Sequence, residues 1–185
     1  MTNDVLPPTT ARWIDEAHGM LRSAFAETYA CPFLIGTPGL HVPRRATRTL
    51  ADPSSAGPDT LPPPPRTDES ARLLILPLAK RSEFFADMIT VGRTMNHDVV
   101  LRDITVSKFH AYFTIESSGI WLTDAGSRNG TRLDEMACVP RRATLVSIGG
   151  TIRFGVVELT LADAGEVWER LRRARLKNGT TWRER

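Results

Sequence analysis

Three short stretches of this chain carry residues whose types and spacing suit the binding of an anion. Gly92-Arg93 ends one apolar run, residues 107–110 (Ser-Lys-Phe-His) begin another, and residues 127–131 (Ser-Arg-Asn-Gly-Thr) fill a turn. If the stretches meet, they offer three cations, a hydroxyl and an amide: Arg93, Lys108, Arg128, Ser107 and Asn129. Charge-assisted hydrogen bonds are the strong kind, and arginine matches phosphate oxygens in a fork. The pattern therefore indicates a site for a phosphate dianion, since a carboxylate would use fewer of these groups.

Each of these residues also has a purely structural interpretation. Arg93 could pair with a nearby aspartate such as Asp103, and Ser107 could be a turn hydroxyl. Asn129-Gly130 could be a hairpin turn that contacts no ligand. The residues alone leave both interpretations open.

No motif of a catalytic or metal site accompanies these stretches. The sequence lacks a P-loop, a Rossmann glycine pattern, an H-E-x-x-H pair and a G-x-S-x-G elbow. Ser107 and His110 form no recognisable nucleophile setting. The remaining histidines and the two cysteines lack metal-ligand spacing: His18, His41, His97, Cys31 and Cys138. We therefore expect a protein that is not an enzyme and holds no metal or cofactor.

Short β-type runs separated by turn signals must position the three stretches. We predict strands at residues 73–76, 88–91, 99–101, 110–115, 120–123, 144–148, 151–154 and 156–161. Gly-rich and Asn-Gly turns at 117–119, 129–130 and 149–150 separate several of them. Many short strands with no helical periodicity between them predict an all-β sandwich or barrel of roughly 90 residues. Loops at one end of a sandwich converge in space, which would bring the three stretches together.

The motifs in this region resemble those of the forkhead-associated (FHA) domain. They are G-R at 92–93, N-x-D at 96–98, V-S-K-F-H at 106–110, W-L-T-D at 121–124, G-S-R-N-G-T at 126–131 and G-G-T-I-R-F-G at 149–155. The resemblance covers residues 71–162 and implies an all-β, FHA-type sandwich of about eleven strands. It also implies a module that binds phosphothreonine on protein partners, downstream of a Ser/Thr kinase.

The resemblance also implies a role for each matching residue. Arg93 and Ser107 would hold the phosphate, Lys108 and Arg128 would add charge, and Asn129 would bond the main chain of the bound peptide. Ser127 and Thr131 are counted with the binding residues because they would help shape the loop. Gly92, His110 and Gly130 would support the site structurally.

The sequence on either side of residues 71–162 differs from it in composition and periodicity. Residues 1–35 contain an amphipathic helix capped by Thr9 or Thr10, with one apolar stripe that needs a partner surface. Residues 36–70 have a Pro-rich composition that predicts an extended linker. Residues 163–185 predict a basic helix that begins with a capping box at Asp163 and Glu166.

The net charge of +3 lies entirely in the C-terminal segment. Residues 163–185 hold seven basic and four acidic residues, so residues 1–162 sum to zero. Because the charge is local, we do not expect a nucleic acid partner. The N-terminus lacks the pattern of a signal peptide and no stretch is long enough to span a membrane, so we expect a cytoplasmic protein with no membrane partner.

A phosphate-independent scaffold is the main alternative function. The N-terminal and C-terminal helices would then dock an assembly such as a secretion complex, and the N-terminal segment could mediate self-association.

The Pro-rich segment contains one candidate phosphoacceptor. Arginines precede Thr49 within residues 44–52, a pattern that resembles the substrates of basophilic Ser/Thr kinases. We hypothesise that phosphorylated Thr49 is a ligand for the chain's own site, in cis or between copies. The alternative is a solvated basic loop with no such role.

Overall fold

Eleven strands and three helices form the described part of the chain. A computed structural model describes residues 10–36, 73–82 and 85–177. In chain order the elements are α1 (Thr10–Gly19), α2 (Arg22–Thr28), β1 (Phe33–Gly36), β2 (Leu74–Pro77), β3 (Ile89–Gly92), β4 (Val99–Val100), β5 (Ala111–Glu116), β6 (Gly119–Asp124), β7 (Thr131–Leu133), β8 (Met136–Ala137), β9 (Ala143–Val146), β10 (Thr151–Phe154), β11 (Val157–Ala162) and α3 (Ala164–Lys177). None of the described helices is long and apolar enough to cross a membrane.

The strands form two sheets that pack face to face. One has the order β2-β1-β11-β10-β7-β8 and the other the order β4-β3-β5-β6-β9. Apolar residues that alternate along the strands fill the space between the sheets, among them Val91, Phe113, Leu122 and Phe154. The prediction of an all-β, FHA-type sandwich of about eleven strands is confirmed.

Strand β1 is part of the sandwich although it lies outside residues 71–162. It pairs with β2 on one side and with β11 on the other. Leu34 belongs to the core between the sheets, whereas Phe33 and Ile35 face the helices. The sequence pattern alone assigns these residues to the N-terminal helix region, because so short a strand with both faces covered shows no alternation.

A second apolar core joins the helices to the outer face of the first sheet. It contains Trp13 of α1, Phe25 of α2, Phe33 of β1 and both Val167 and Leu171 of α3. The predicted N-terminal helix is interrupted after Gly19, because glycine is a weak helix former. The rings of Trp13 and Phe25 are still in contact, with their centroids 6.4 Å apart. The amphipathic stripe of the N-terminal segment is therefore covered within the same chain.

Helix α3 begins as the sequence predicts. The main-chain N–H of Glu166 donates to Oδ1 of Asp163 at 2.8 Å, which is a side-chain N-cap. The Glu166 carboxylate pairs with Arg170 instead of reaching back to the cap. The predicted stop at residues 178–179 lies outside the described residues.

The Pro-rich segment is an insertion between two neighbouring strands. Gly36 of β1 and Leu74 of β2 are opposite each other in the sheet, so the strand ends on either side of the segment are neighbours. A Cβ atom at Gly36 would lie 3.0 Å from the Glu158 carbonyl oxygen, which places the end of β1 beside the first half of β11. The segment therefore does not link two separate domains, because strands on both sides of it belong to the same sheet. Thr49 lies outside the described residues.

Candidate functional site

Three loops meet at one end of the sandwich: residues 93–98, 101–110 and 125–130. The main-chain N–H of Arg93 donates to the Ser107 carbonyl oxygen at 3.0 Å. The Ser107 hydroxyl in turn accepts the N–H of Arg128 at 3.0 Å. The structure therefore brings together Arg93, Ser107 and Arg128, which come from three different loops.

Gly92 allows two of these loops to approach each other. A Cβ atom at this position would lie 2.1 Å from the Lys108 carbonyl oxygen and 2.4 Å from Cδ2 of His97. No real side chain tolerates such distances, so only glycine fits here. The close approach places Arg93, the next residue, beside Ser107 and Lys108.

His110 joins the serine loop to the loop of residues 125–130. Its Nδ1 accepts the main-chain N–H of Ser107 at 3.0 Å, which leaves Nε2 as the protonated nitrogen. Nε2 lies 3.2 Å from the Gly130 carbonyl oxygen and donates to it. Burial lowers the pKa of His110, so the ring is neutral at pH 7 and this pattern of donor and acceptor is stable.

The same geometry argues against a nucleophile and base pair. His110 contacts the main chain of Ser107, whereas the Ser107 hydroxyl accepts from Arg128. A general base would have to lie within hydrogen-bonding reach of the hydroxyl proton. The arrangement positions a loop and does not activate a serine.

Asp124 organises the loop of residues 125–130. Its buried carboxylate accepts the N–H groups of Gly126 and Ser127 on Oδ1, at 2.8 and 2.9 Å. Oδ2 accepts the hydroxyls of Ser127 and Thr131 at 2.7 and 2.6 Å. Burial alone would raise the pKa of Asp124, but the hydrogen bonds from Thr131, Ser127 and Gly126 outweigh it and lower the pKa.

Two of the predicted site residues have hydroxyls that are already engaged by Asp124. The Ser127 and Thr131 hydroxyls both donate to Asp124 Oδ2. These contacts agree with the expectation that the two residues help shape the loop. Asp124 itself was absent from the predicted site, although its place immediately before the G-S-R-N-G-T turn was a signal for it.

Asn129 is tied to the serine loop by one of its amide protons. Its Nδ2 donates to the Thr105 carbonyl oxygen at 2.7 Å, and the side chain is exposed. Thr105 is itself held by Asp103, whose Oδ1 accepts the Thr105 N–H at 2.7 Å. An amide has a carbonyl oxygen and a second N–H besides the one used here, which suits it to a peptide main chain.

The three predicted cations have no acidic partner in the part of the chain that the structure describes. No described carboxylate lies within 4.0 Å of the charged groups of Arg93, Lys108 or Arg128. The alternative pairing of Arg93 with Asp103 is not formed, since Asp103 is bonded to Thr105. Uncompensated cations around a hydroxyl on cross-linked loops are what an anion site requires.

The chain is similar to known proteins in both sequence and structure. The oxoglutarate dehydrogenase inhibitor of Corynebacterium efficiens is 31% identical over 111 residues, which are 58% of this chain and 72% of the relative. The glycogen accumulation regulator GarA of Mycobacterium tuberculosis is 32% identical over 90 residues, 46% of this chain and 54% of that protein. The chain belongs to the forkhead-associated (FHA) family.

The chain is also similar to a solved FHA domain and to a family model, and it spans about half the length of one curated relative. The FHA domain of a Chlamydia trachomatis protein superposes with a TM-score of 0.45 and 18% identity, covering 71% of this chain and 97% of that one. A family model described as the cytoplasmic domain of an inner-membrane component of the type III secretion system matches residues 80–165. The chain spans 47% of the Corynebacterium glutamicum oxoglutarate dehydrogenase inhibitor, to which it is 37% identical over 70 residues.

One further residue of this FHA domain, at the end of the loop of residues 93–98, joins that loop to residues 80–82 and to β3. Asp98, fully buried, accepts the N–H groups of Arg81 and Ser82, both at 2.7 Å, and that of Thr90 at 2.8 Å. Burial would raise the pKa of Asp98, but these bonds and a contact with Lys80 at 2.9 Å lower it to about 2. The N-x-D motif contained this residue, but its structural role follows only from the contacts.

Proposed function

We propose that this FHA protein is a non-enzymatic module that binds phosphothreonine on protein partners in Ser/Thr kinase signalling. The observation that carries the proposal is that the loops bearing Arg93, Lys108 and Arg128 meet at Ser107, while none of these three cations is paired with a described carboxylate. Arg93 and Ser107 hold the phosphate, and Lys108 and Arg128 add charge. Asn129 bonds the main chain of the peptide.

The cross-links between the loops support this proposal energetically. His110 ties residues 101–110 to residues 125–130, and Asn129 does so a second time through Thr105. Loops that are already ordered lose little conformational entropy when a ligand binds. The binding free energy of a short phosphorylated segment therefore does not have to offset an entropy cost of ordering the site.

The relatives support a regulatory role without catalysis. They are named as an inhibitor of oxoglutarate dehydrogenase and as a regulator of glycogen accumulation. We extend from those names only the general role of acting through a protein partner. The proposal includes a cytoplasmic location, where Cys31 and Cys138, both free thiols, would stay reduced.

A phosphate-independent scaffold is the second candidate, because the matching family model is named after a secretion system. The structure weakens the sequence-based argument for a scaffold, which was that the apolar stripe of the N-terminal helix needs a partner. The apolar stripe that was expected to dock a partner contains Trp13 and Phe25, which are buried against α3 and β1. A scaffold would have to use another surface.

Substitution of Arg93 separates the two functions. Titration of the full chain with phosphothreonine peptides should show binding that the unphosphorylated peptides lack, and Arg93→Ala should weaken it by about tenfold or more. Arg173→Ala, which removes a cation paired with Glu169 on α3, should change nothing. Equal binding of phosphorylated and unphosphorylated peptides, or full binding by Arg93→Ala, would contradict the proposal and favour the scaffold.

A further inference from the structure

Two more arginines lie at the same end of the sandwich as the candidate phosphate site. Arg141 and Arg142 immediately precede β9, whose first residue, Ala143, is paired with Thr123 near the end of β6. The main-chain N–H of Arg141 donates to the Asp124 carbonyl oxygen at 2.8 Å. Arg141 is therefore anchored to the residue that organises the loop of residues 125–130.

The Arg141 side chain lies against that loop. Its Nε and Nη2 atoms are 3.9 and 4.0 Å from the position that a Cβ atom would occupy at Gly126. Gly126 has a φ of +89° and precedes Ser127 and Arg128. The guanidinium thus covers the start of the loop whose later residues, Arg128 and Asn129, face the proposed ligand.

The backbone at Arg141 does not favour arginine. Its φ is +62°, in the left-handed region where a residue with a Cβ atom is strained and glycine is not. Glycine would meet the needs of this turn better than arginine does. Strain at a residue that folding does not require is a reason to look for a function.

The charge of Arg141 is also unused within the described part of the chain. Its guanidinium makes no ion pair or hydrogen bond with any described residue, and the same holds for Arg142. Several other arginines are paired, namely Arg132 and Arg153 with Glu135, and Arg170 with Glu166. Asp124, the carboxylate nearest in sequence to the loop, has its oxygens filled by four donors.

We infer that Arg141 forms a second anion subsite that selects phosphothreonine segments with Asp or Glu flanking the phosphothreonine. This inference rests on the proposed function and specifies which segments the site binds. The subsite lies beside Gly126, so the acidic residue is on the part of the peptide that runs along residues 126–129. A guanidinium binds a carboxylate in a fork, and its position on a tied turn keeps it at a constant place relative to the phosphate.

The test uses the full chain and a phosphothreonine peptide library with random flanking residues. The wild-type protein should enrich Asp and Glu at one or more flanking positions. Arg141→Ala and Arg141→Gly should lose that enrichment while still requiring the phosphate. For a single acidic-flanked peptide, both variants should bind about two- to fivefold more weakly than wild type, with no change for a neutral-flanked peptide.

Three controls separate a lost subsite from a damaged fold. Arg141→Gly suits a positive φ, so its melting temperature should equal or exceed that of wild type. Arg141→Lys keeps the charge and should retain part of the acidic preference. Arg132→Gln, which removes a cation already paired with Glu135, should leave the preference unchanged.

The outcomes distinguish this inference from the proposed function. Absence of binding to every phosphothreonine peptide overturns the function itself. Phosphate-dependent binding with no acidic enrichment, or with the same enrichment in Arg141→Gly, overturns only the second subsite.

Discussion

Two buried aspartates hold the loops around the site, and neither faces the proposed ligand. Asp124 collects four donors from the loop that follows it, and Asp98 collects main-chain N–H groups from Arg81, Ser82 and Thr90. Among these donors, the groups of Thr90 and Thr131 are buried and would cost about 1–3 kcal/mol each if they had no partner. At this scale the site depends as much on its acidic supports as on its cations.

The low pKa of Asp98 predicts a loss of stability in acid. Its pKa is lowered from 3.8 to about 2 in the folded protein, so the folded state favours the ionised form. The stabilisation is complete above the unfolded pKa near 4 and is lost as the pH falls from there to about 2. We expect the free energy of unfolding to fall by roughly 2 kcal/mol across this range through Asp98 alone.

Urea unfolding of wild type and Asp98→Asn between pH 2 and pH 7 measures this contribution. The variant should be less stable at pH 7 and should show a shallower pH dependence below pH 4. The same slope in both proteins would mean that Asp98 is not the group responsible.

Strand β1 shows how an element outside the motif region completes the fold. It lies between β2 and β11, and among the described strands β2 has no other neighbour. Phe33 and Ile35 of β1 lie on the outer face of the sheet and pack in the apolar core that this face forms with the helices. The FHA sandwich of this chain therefore needs residues from before the Pro-rich insertion.

Deletions on either side of β1 should have opposite effects. Removal of residues 1–36 deletes a strand from the middle of a sheet and should abolish cooperative unfolding, as followed by circular dichroism. Replacement of residues 37–72 by a short Gly-Ser turn should preserve the fold, because Gly36 and Leu74 are already opposite each other. A cooperatively folded protein without residues 1–36 would contradict the role given to β1.

At the scale of the whole molecule, Gly36 and Leu74, the strand residues that border the Pro-rich segment, lie at the same end of the sandwich as the candidate site. Gly36 lies beside Glu158, and Val156, two residues earlier, donates its N–H to Oγ1 of Thr105 at 3.1 Å. Thr105 in turn accepts the amide of Asn129. The points where the insertion leaves and re-enters the sheet are thus close to the loops that would bind a phosphorylated segment.

The hypothesis that phosphorylated Thr49 binds this site is testable in that setting. A phosphorylated peptide of residues 44–55 should bind full-length Thr49→Ala at least about tenfold more tightly than the unmodified peptide, by isothermal titration. Arg93→Ala in the same background should remove the difference. Equal weak binding of the two peptides would leave the solvated basic loop as the better interpretation.

The sequence by itself determined the fold class and supplied the candidate residues of the proposed site. Turn residues such as Asn129-Gly130 and alternating apolar runs act locally, so the sandwich and its motif residues could be predicted without coordinates. The same is true of the cap at Asp163, because a cap needs only residues within one turn of helix.

Tertiary structure alone decided which of these residues meet and which are already engaged. The strand β1 is too short to show a period, and its identity depends on pairing with β11 more than a hundred residues away. The sequence predicts that Ser127 and Thr131 shape the loop, but only the position of Asp124 shows where their hydroxyls point. Whether an arginine is paired depends on neighbours from other loops, which is why Arg93 and Arg141 became interpretable only once those loops were in place.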